Sequence, residues 1–576
     1  MKTILHYLKP YRMGMLHGFL IKVLGTFADL GLPWVLAYIL DHVVPLGRIF
    51  PVLLWGIAMI ALAVAARLLN IKANRMASKV ARDAIEEVRH DLFHKIMYLS
   101  GNQTDAIGIP SLISRLTADS YNVHSMIGRV QRIGVRAPII LMGGILITFT
   151  LEPVLTLVLV STLPLLAVLV YRVSKKGIPL YTKVSQSVDD VVRVMRENIS
   201  GIRVVKALSK TEYEYGRFQE KNGKLAENEF RAGITMALSG PMMNLILNLG
   251  LTAIVVVGAY RVNAGNSKPG GIVAFLSYFT MILNAMMSIT RVFVDISKAT
   301  ASADRIGLVL NLEDELLVWE EKRTAAAEEP ISRIEFSHVS FGYHAKSGGE
   351  EKLCLKDINF KIMPGESLGI LGATGSGKST IINLMMRFYD VNEGSVRIDG
   401  RDVRNYTLQK LREKFAVVFQ NDTVFNDTLT ENICFGREIE EQDMVRAAKD
   451  ACAYDFIMEK EGGFSCEAAI GGANLSGGQK QRLLIARALS GNPKILVFDD
   501  SSSALDYKTD AKLRQAIRAR YKESTIVMVA QRVSSLMNLD HILVLEEGEP
   551  IGYGNHEELL KDCEVYREIY EVQMGG

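Results

Sequence analysis

Apolar positions fill the first three hundred residues of this chain in long runs and then give way to short ones. Six of the long runs lie near residues 14–40, 49–71, 134–151, 153–173, 238–260 and 270–290. They reach or approach the ~20 residues of helix that cross a hydrocarbon core. Their connections differ in kind. Residues 41–49, 150–153 and 261–269 are short turns, whereas 72–133 and 174–237 are long, helical in composition and heavily charged. The pattern predicts six transmembrane helices with long charged helical extensions. Lys72, Arg75, Lys79, Arg82, Arg89, Lys95, Arg115, Arg129 and Arg132 crowd the first extension. The bias of Lys and Arg toward the cytoplasmic side places both extensions, and the N-terminus, in the cytoplasm.

After residue 310 the period changes. Residues 311–330 are charged and alanine-rich and read as a linker. From Arg333 to Tyr343 apolar and polar residues alternate as in a strand, and short β-rich runs then alternate with helical ones. The expected fold is therefore an α-helical membrane domain over 1–310 fused, through 311–330, to an α/β domain over 331–576. A chain of 576 residues is also too long for one core. Hydrophobic residues make up 49% of it and the mean hydropathy is +0.16, high for a soluble protein. A net charge of +3 gives no footprint for nucleic acid. The five cysteines all lie in the second half without a CxxC pair, which argues against a disulfide framework or zinc site and suits a reducing cytosol. The first twelve residues show no signal-peptide cleavage pattern and read as an amphipathic cytosolic stretch.

The chemistry concentrates in Gly372-Ala373-Thr374-Gly375-Ser376-Gly377-Lys378-Ser379, with Thr380 behind it. Ile370-Leu371 ends an apolar run and Ser379 opens a helical one, the strand–loop–helix setting of a phosphate-binding loop. Backbone N–H groups there surround a polyphosphate, Lys378 reaches its β and γ oxygens, and Ser379 holds Mg²⁺. About a hundred residues later comes Leu475-Ser476-Gly477-Gly478-Gln479, whose glycines admit close approach of backbone to an anion at a helix start. Ile495-Leu-Val-Phe-Asp499 is an apolar strand ending in a carboxylate suited to a hard cation.

Together these motifs resemble the ATP-binding-cassette (ABC) transporters of the exporter type, over essentially the whole chain and most closely from 331 to 560. The resemblance implies that two nucleotide domains sandwich ATP and Mg²⁺ between one chain's phosphate loop and the other's residues 475–479. It assigns Tyr343 to stack on adenine and Gln420 to reach Mg²⁺. Ser476, Gly477, Gly478 and Gln479 would cover the partner-bound γ-phosphate, and Asp506 would close the D-loop. Ser111-Leu-Ile-Ser-Arg-Leu-Thr-Ala-Asp119 and Glu197-Asn-Ile-Ser-Gly-Ile-Arg are similar to the family's intracellular loops. They imply coupling helices near 118–126 and 211–218.

Two positions depart from the family. Asp500 stands where active members carry the Glu that polarises water. Its carboxylate stands back by about 1 Å, enough to cost on the order of 10²-fold in rate. Gln531 replaces the usual His and can only hydrogen-bond, not carry charge. The segment 467–474 keeps Glu467 but otherwise departs from the common form.

The resemblance therefore implies a half-transporter in a bacterial plasma membrane, with a weakly hydrolytic site of its own. A heterodimeric partner would supply a competent site, and the cargo would be a drug-like or lipid-like small molecule. An exporter-shaped importer of a metal-chelating compound and a non-pumping regulatory subunit remain as alternatives. Lys22 and Asp29, Asn244 and Asn248, and Asn284, Arg291 and Asp295 place polar groups within spans, where they mark a cavity or pair with one another. Met281, Met286 and Met287 lie beside the last set and read as flexible substrate contacts or ordinary helix packing.

Overall fold

A computed structural model describes residues 2–319, 331–343, 353–420, 422–501 and 505–574. They form two units, Met1–Met97 with Pro110–Leu312, and Tyr98–Ile109 with Glu313–Gly576. Of the linker expected over 311–330, residues 320–330 lie outside the described residues.

The first unit is helical. Six helical stretches, Thr3–Leu46, Ile49–Met97, Ile109–Leu151, Pro153–Ser200, Thr211–Asn263 and Pro269–Leu310, are long and apolar enough to cross a membrane. Each contains one of the six apolar runs, and the charged extensions are continuations of the same helices. In Ile49–Met97 the large side chains Leu53, Leu54, Ile57 and Ile60 face outward, while Ala66, Ala73, Ala77, Ala81 and Ala84 are buried. Small residues at helical spacing let neighbouring backbones approach, which drives packing where lipid already solvates the large ones.

Some of the polar groups inside the spans are paired. Arg136 donates to Asp29 at 2.9 Å and Asn70 does so at 3.2 Å, while Lys22 donates to Asn74 at 3.0 Å. Asp295 is held by Arg129 at 2.6 Å. Asn244, Asn248 and Asn284 are exposed. Of the two readings open for these groups, structural pairing holds for Asp29 and Asp295. The Lys22–Asp29 contact that their shared face allows does not form among the ion pairs found.

One expectation needs correction. Residues 118–126 do not form a separate coupling helix. They run through the Ile109–Leu151 helix within the first unit, where Asp119 is buried and bound by Arg305 and Ser302. The short helix that belongs to the second unit is Gly101–Ile107. Ser100 caps it, accepting from the Gln103 amide at 3.1 Å while the Gln103 side chain accepts from Ser100 N–H at 3.2 Å. Gly101 N–H donates to the Phe388 carbonyl at 3.0 Å, and Tyr389 Oη donates to Asp105 at 2.8 Å. A Cβ on Gly101 would come within 2.4 Å of the Tyr389 ring, so this docking requires glycine. Gln103 also binds the Glu313 carbonyl at 2.7 Å.

The rest of the second unit is α/β. Strands β1 (Ile334–Gly342), β2 (Leu353–Ile362), β4 (Glu393–Ile398) and β5 (Arg401–Asp402) make an antiparallel sheet in the order β2-β1-β4-β5. Strands β3 (Ser367–Gly372), β6 (Phe415–Val418), β7 (Ile495–Asp499), β8 (Thr525–Val529), β9 (His541–Glu546) and β10 (Glu549–Gly554) form a second sheet, ordered β10-β9-β3-β8-β7-β6. All its pairings are parallel except β10 with β9. β7 is buried at every position, as a central parallel strand covered on both faces must be. Ile381, Ile382, Leu384 and Met385 of the helix Lys378–Met385 pack with Phe336, Ile358 and Ile370 in the core between the sheets.

Candidate nucleotide site

Strand order builds the site. β3, β8, β7 and β6 are neighbours running in the same direction, so their carboxyl ends lie along one edge. Ligands of open parallel sheets bind beyond that edge. The phosphate loop leaves β3, Gln531 follows β8, Asp499 and Asp500 end β7, and Gln420 follows β6. Residues far apart in sequence thus converge on one cleft of about 320 Å³. It is lined by Tyr343, Thr374, Gly375, Gly377, Lys378, Ser379, Thr380, Gln420, Asp499, Asp500 and Gln531, with Cys354 and Val529.

The loop has the shape of an anion cradle. Gly375 and Gly377 take φ of +89° and +96°, and a Cβ on Gly377 would lie 2.5 Å from Leu355, so Gly377 has no substitute there. Lys378 is buried and folds back to donate to the carbonyls of Gly372 and Ala373 at 2.9 and 2.7 Å. Burial pulls its ammonium below the usual lysine range, opposed by the charges of Asp499 and Asp500. Ser376 Oγ is buried with no hydrogen-bond partner found. A buried hydroxyl, a confined ammonium and loop amides fit a polyphosphate.

Asp499 is also buried. Burial, aided by the charge of Asp500, raises its carboxyl above the usual range, while a hydrogen bond from Ser379 and the charge of Lys378 pull it down. A carboxylate, a hydroxyl and the Gln420 amide are oxygen donors of the kind a hard divalent cation takes. Asp500 has φ of +47°, and its N–H donates to the Val529 carbonyl at 3.0 Å, tying β7 to β8 at their ends. Gln531 Nε2 donates to Asp500 Oδ2 at 3.1 Å. The two departures from the family pattern are therefore in contact. Tyr343 closes the other end, its hydroxyl 3.1 Å from Thr380 and its ring edge-on to Phe341 and Tyr389 at 5.0 and 5.1 Å.

Residues 475–479 do not line this cleft. Ser476 caps the helix Gly477–Leu489, accepting from the Gln479 amide at 3.3 Å, and Gln479 Oε1 accepts from Ser476 N–H at 3.0 Å. Ser476 and Gly477 are exposed while Leu475 is buried, so the motif presents its glycines and hydroxyl to solvent. Asp506 is likewise outside the cleft and caps the helix Tyr507–Arg520, accepting from Thr509 at 2.9 and 2.7 Å. Ser503 and Ala504, the other half of the expected D-loop, lie outside the described residues.

Residues 15–286 match the model of the ABC transporter transmembrane region, and residues 355–503 match the ABC transporter model. The chain is 34% identical to the ABC transporter ATP-binding protein YfiB of Bacillus subtilis, over 100% of its own length and 99% of the relative's. The chain belongs to the ABC transporter family.

This ABC transporter is also 30% identical to the ATP-dependent lipid A-core flippase of Haemophilus influenzae, over 100% of this chain and 97% of that one. A solved bacterial Atm1-family ABC exporter with ATP bound shares its fold, with a TM-score of 0.80, 24% identity and 98% of each chain covered. The protein is a multi-pass membrane protein, with six membrane-spanning helices among the described residues and a cytoplasmic nucleotide-binding domain.

Sequence reasoning missed three features of this ABC transporter. Cys354 lines the cleft, its thiol raised by burial and bonded to the Phe341 carbonyl at 3.3 Å. Nothing in the pattern around Cys354 marks it. The Gly101–Ile107 helix was findable, because Ser100 and Gln103 have capping-box spacing and Gly108 and Pro110 end the turn. Gln573, near the C-terminus, touches the Gln531 loop, and no motif announces it.

Proposed function

We propose that this chain is one half of an ATP-driven exporter that moves amphipathic small molecules, drug-like or lipid-like, out across the membrane. Its own site binds ATP with Mg²⁺ and hydrolyses it slowly, and its residues 475–479 complete the site of a different partner subunit. The carrying observation is the Gln531–Asp500 pair, 3.1 Å apart in the cleft that holds Lys378 and Asp499. Neither member of that pair offers the longer carboxylate or the imidazole of an active site.

The chain's residues divide the work. Loop amides and Lys378 grip the phosphates, Ser379, Gln420 and Asp499 hold the cation, and Tyr343 stacks on the base. The bound Mg²⁺ neutralises phosphate charge. Asp500 orients the attacking water from too great a distance, and Gln531 holds Asp500 without supplying a proton or a charge. Because none of residues 475–479 lines this cleft, and Ser476 and Gly477 face solvent, a second chain must lend their counterpart. Two copies of this chain would pair two slow sites, which favours a partner of different sequence.

Kinship with lipid A-core flippases supports a lipid-like cargo. Gly101–Ile107, which folds with the nucleotide-binding unit, and residues 211–218, where Tyr213 and Tyr215 stand exposed, are the segments to which we assign coupling.

Phosphate release by the purified chain, alone and with each candidate partner, tests this reading. Slow turnover alone and fast turnover with one partner is the expected result, with ATP-dependent uptake of a fluorescent lipid into inside-out vesicles. Fast turnover of the chain alone, abolished by Lys378→Ala, would overturn it.

A further inference from the structure

We propose that Gln573 is a positioning residue for the γ-phosphate side of this site, reaching it from the C-terminal helix. The proposal rests on reading Asp500 and Gln531 as the pair that faces the terminal phosphate. Gln573 lies in the helix Glu564–Met574. Its side-chain amide grips the backbone of the Gln531 loop twice: Nε2 donates to the Gln531 carbonyl at 2.9 Å, and Oε1 accepts from Val533 N–H at 2.8 Å. The two contacts straddle Arg532, which is extended at φ −102° and ψ 123°. A primary amide offers one donor and one acceptor on a planar group, so it can bind a carbonyl and an N–H two residues apart as a neighbouring strand would.

The far end of the same loop residue is the functional one, since Gln531 Nε2 donates to Asp500. Gln573 thus fixes the backbone from which that amide projects. The clamp has firm footings. Ala530, Val533 and Leu536 share a core with Leu559, Cys563 and Tyr566, and Ile569 and Tyr570 pack against it. Tyr566 is fully buried and bonded to His556 at 2.7 Å, which anchors the helix two turns before the clamp. Gln573 and Gln531 themselves are exposed. Water competes for exposed hydrogen bonds, so the clamp adds little to folding stability. Its effect falls on geometry, and catalysis is far more sensitive to geometry than folding is.

Gln573→Met keeps the length of the side chain and removes both hydrogen bonds. Gln573→Glu still accepts from Val533 N–H but cannot donate to the Gln531 carbonyl. Both are made in the full-length chain in lipid nanodiscs. Single-turnover hydrolysis is followed with the chain in excess over radiolabelled ATP, alongside ATP affinity and thermal melting. Gln573→Met should slow hydrolysis by about tenfold, with ATP affinity and melting unchanged, and Gln573→Glu should fall between it and the parent. Hydrolysis at the parental rate in Gln573→Met overturns the proposal. So does a joint loss of affinity, rate and melting in both variants, which would make Gln573 a structural residue only. Should Gln573→Met fail to fold, Gln573→Glu decides by the same criteria. Gln531→Ala separates the layers: parental hydrolysis there sinks the site reading itself, whereas slowed hydrolysis there with a silent Gln573→Met sinks only the clamp.

Discussion

The phosphate cradle and the signature segment sit in one folded unit and are built on opposite principles. The cradle gathers residues from the ends of four strands and buries its charges, so that Lys378 and Asp499 are almost wholly withdrawn from water. The signature gathers nothing. It is a capped helix start with Ser476 and Gly477 exposed and no member in the cleft. A buried cluster with a confined ammonium is finished machinery for holding an anion. An exposed helix start with flexible glycines is half of a contact. Both departures from the family pattern, Asp500 and Gln531, fall on the cradle side, so on the proposed function the chain would be weak in the chemistry it keeps and intact in the surface it offers.

The strongest way to break this contrast is at Lys378. Lys378→Ala removes the buried cation and should cost about 3 kcal/mol of ATP binding, roughly a hundredfold in affinity. Equilibrium binding of a fluorescent ATP analogue measures it. A loss of only twofold would mean that the loop amides alone hold the nucleotide. Asp500→Glu with Gln531→His tests the other side of the cradle. Phosphate release should rise by on the order of 10²-fold, because the carboxylate advances by about 1 Å and an imidazole returns. An unchanged rate would place the limitation outside this pair.

The contrast itself was only partly visible in the sequence. Six spans were legible because apolar runs of membrane length have few other uses, and their charged continuations kept a helical composition. The cradle was legible because Gly375 and Gly377 must take positive φ where they do, and the loop advertises that need. What stayed hidden depends on tertiary contact. The start of the helix Gly101–Ile107 is marked by its capping box, but at seven residues it is too short for a periodic signal, and its place, the hidden part, is set by Phe388 and Tyr389, nearly three hundred residues away. Its expected position at 118–126 instead carries Asp119, buried against Arg305. The contact between Gln531 and Asp500 follows from β7 lying beside β8, a pairing that no local pattern specifies.

On the signature side the expected effect is smaller and different in kind. Ser476→Ala removes the hydroxyl that accepts from the Gln479 amide and should cost about 1 kcal/mol of local helix stability. ATP affinity of the chain alone should stay unchanged, while turnover of the complete transporter falls by about tenfold as a γ-phosphate contact is lost. An affinity loss matching that of Lys378→Ala would show that the signature serves its own cradle after all, and the contrast would fail.

The smallest expected effect sharpens the boundary of the cradle at its adenine end. Tyr343 is held by neighbours on several sides, through Thr380 at its hydroxyl and through Phe341 and Tyr389 at its edges, so its ring is already oriented before a base arrives. Removing the ring in Tyr343→Ala should weaken ATP by about 1 kcal/mol, roughly fivefold. Tyr343→Phe, which keeps the ring and loses only the hydroxyl contact, should stay within about twofold of the parent. Inorganic tripolyphosphate separates stacking from indirect damage, since it has no base to stack. If Tyr343→Ala weakens tripolyphosphate as much as ATP, the ring acts through Thr380 on the phosphate loop, and the cradle extends to Tyr343 as one mechanical body. If only ATP weakens, the base and the phosphates are held by separate parts of the cleft, and the buried charges around Lys378 alone set the grip on the phosphates.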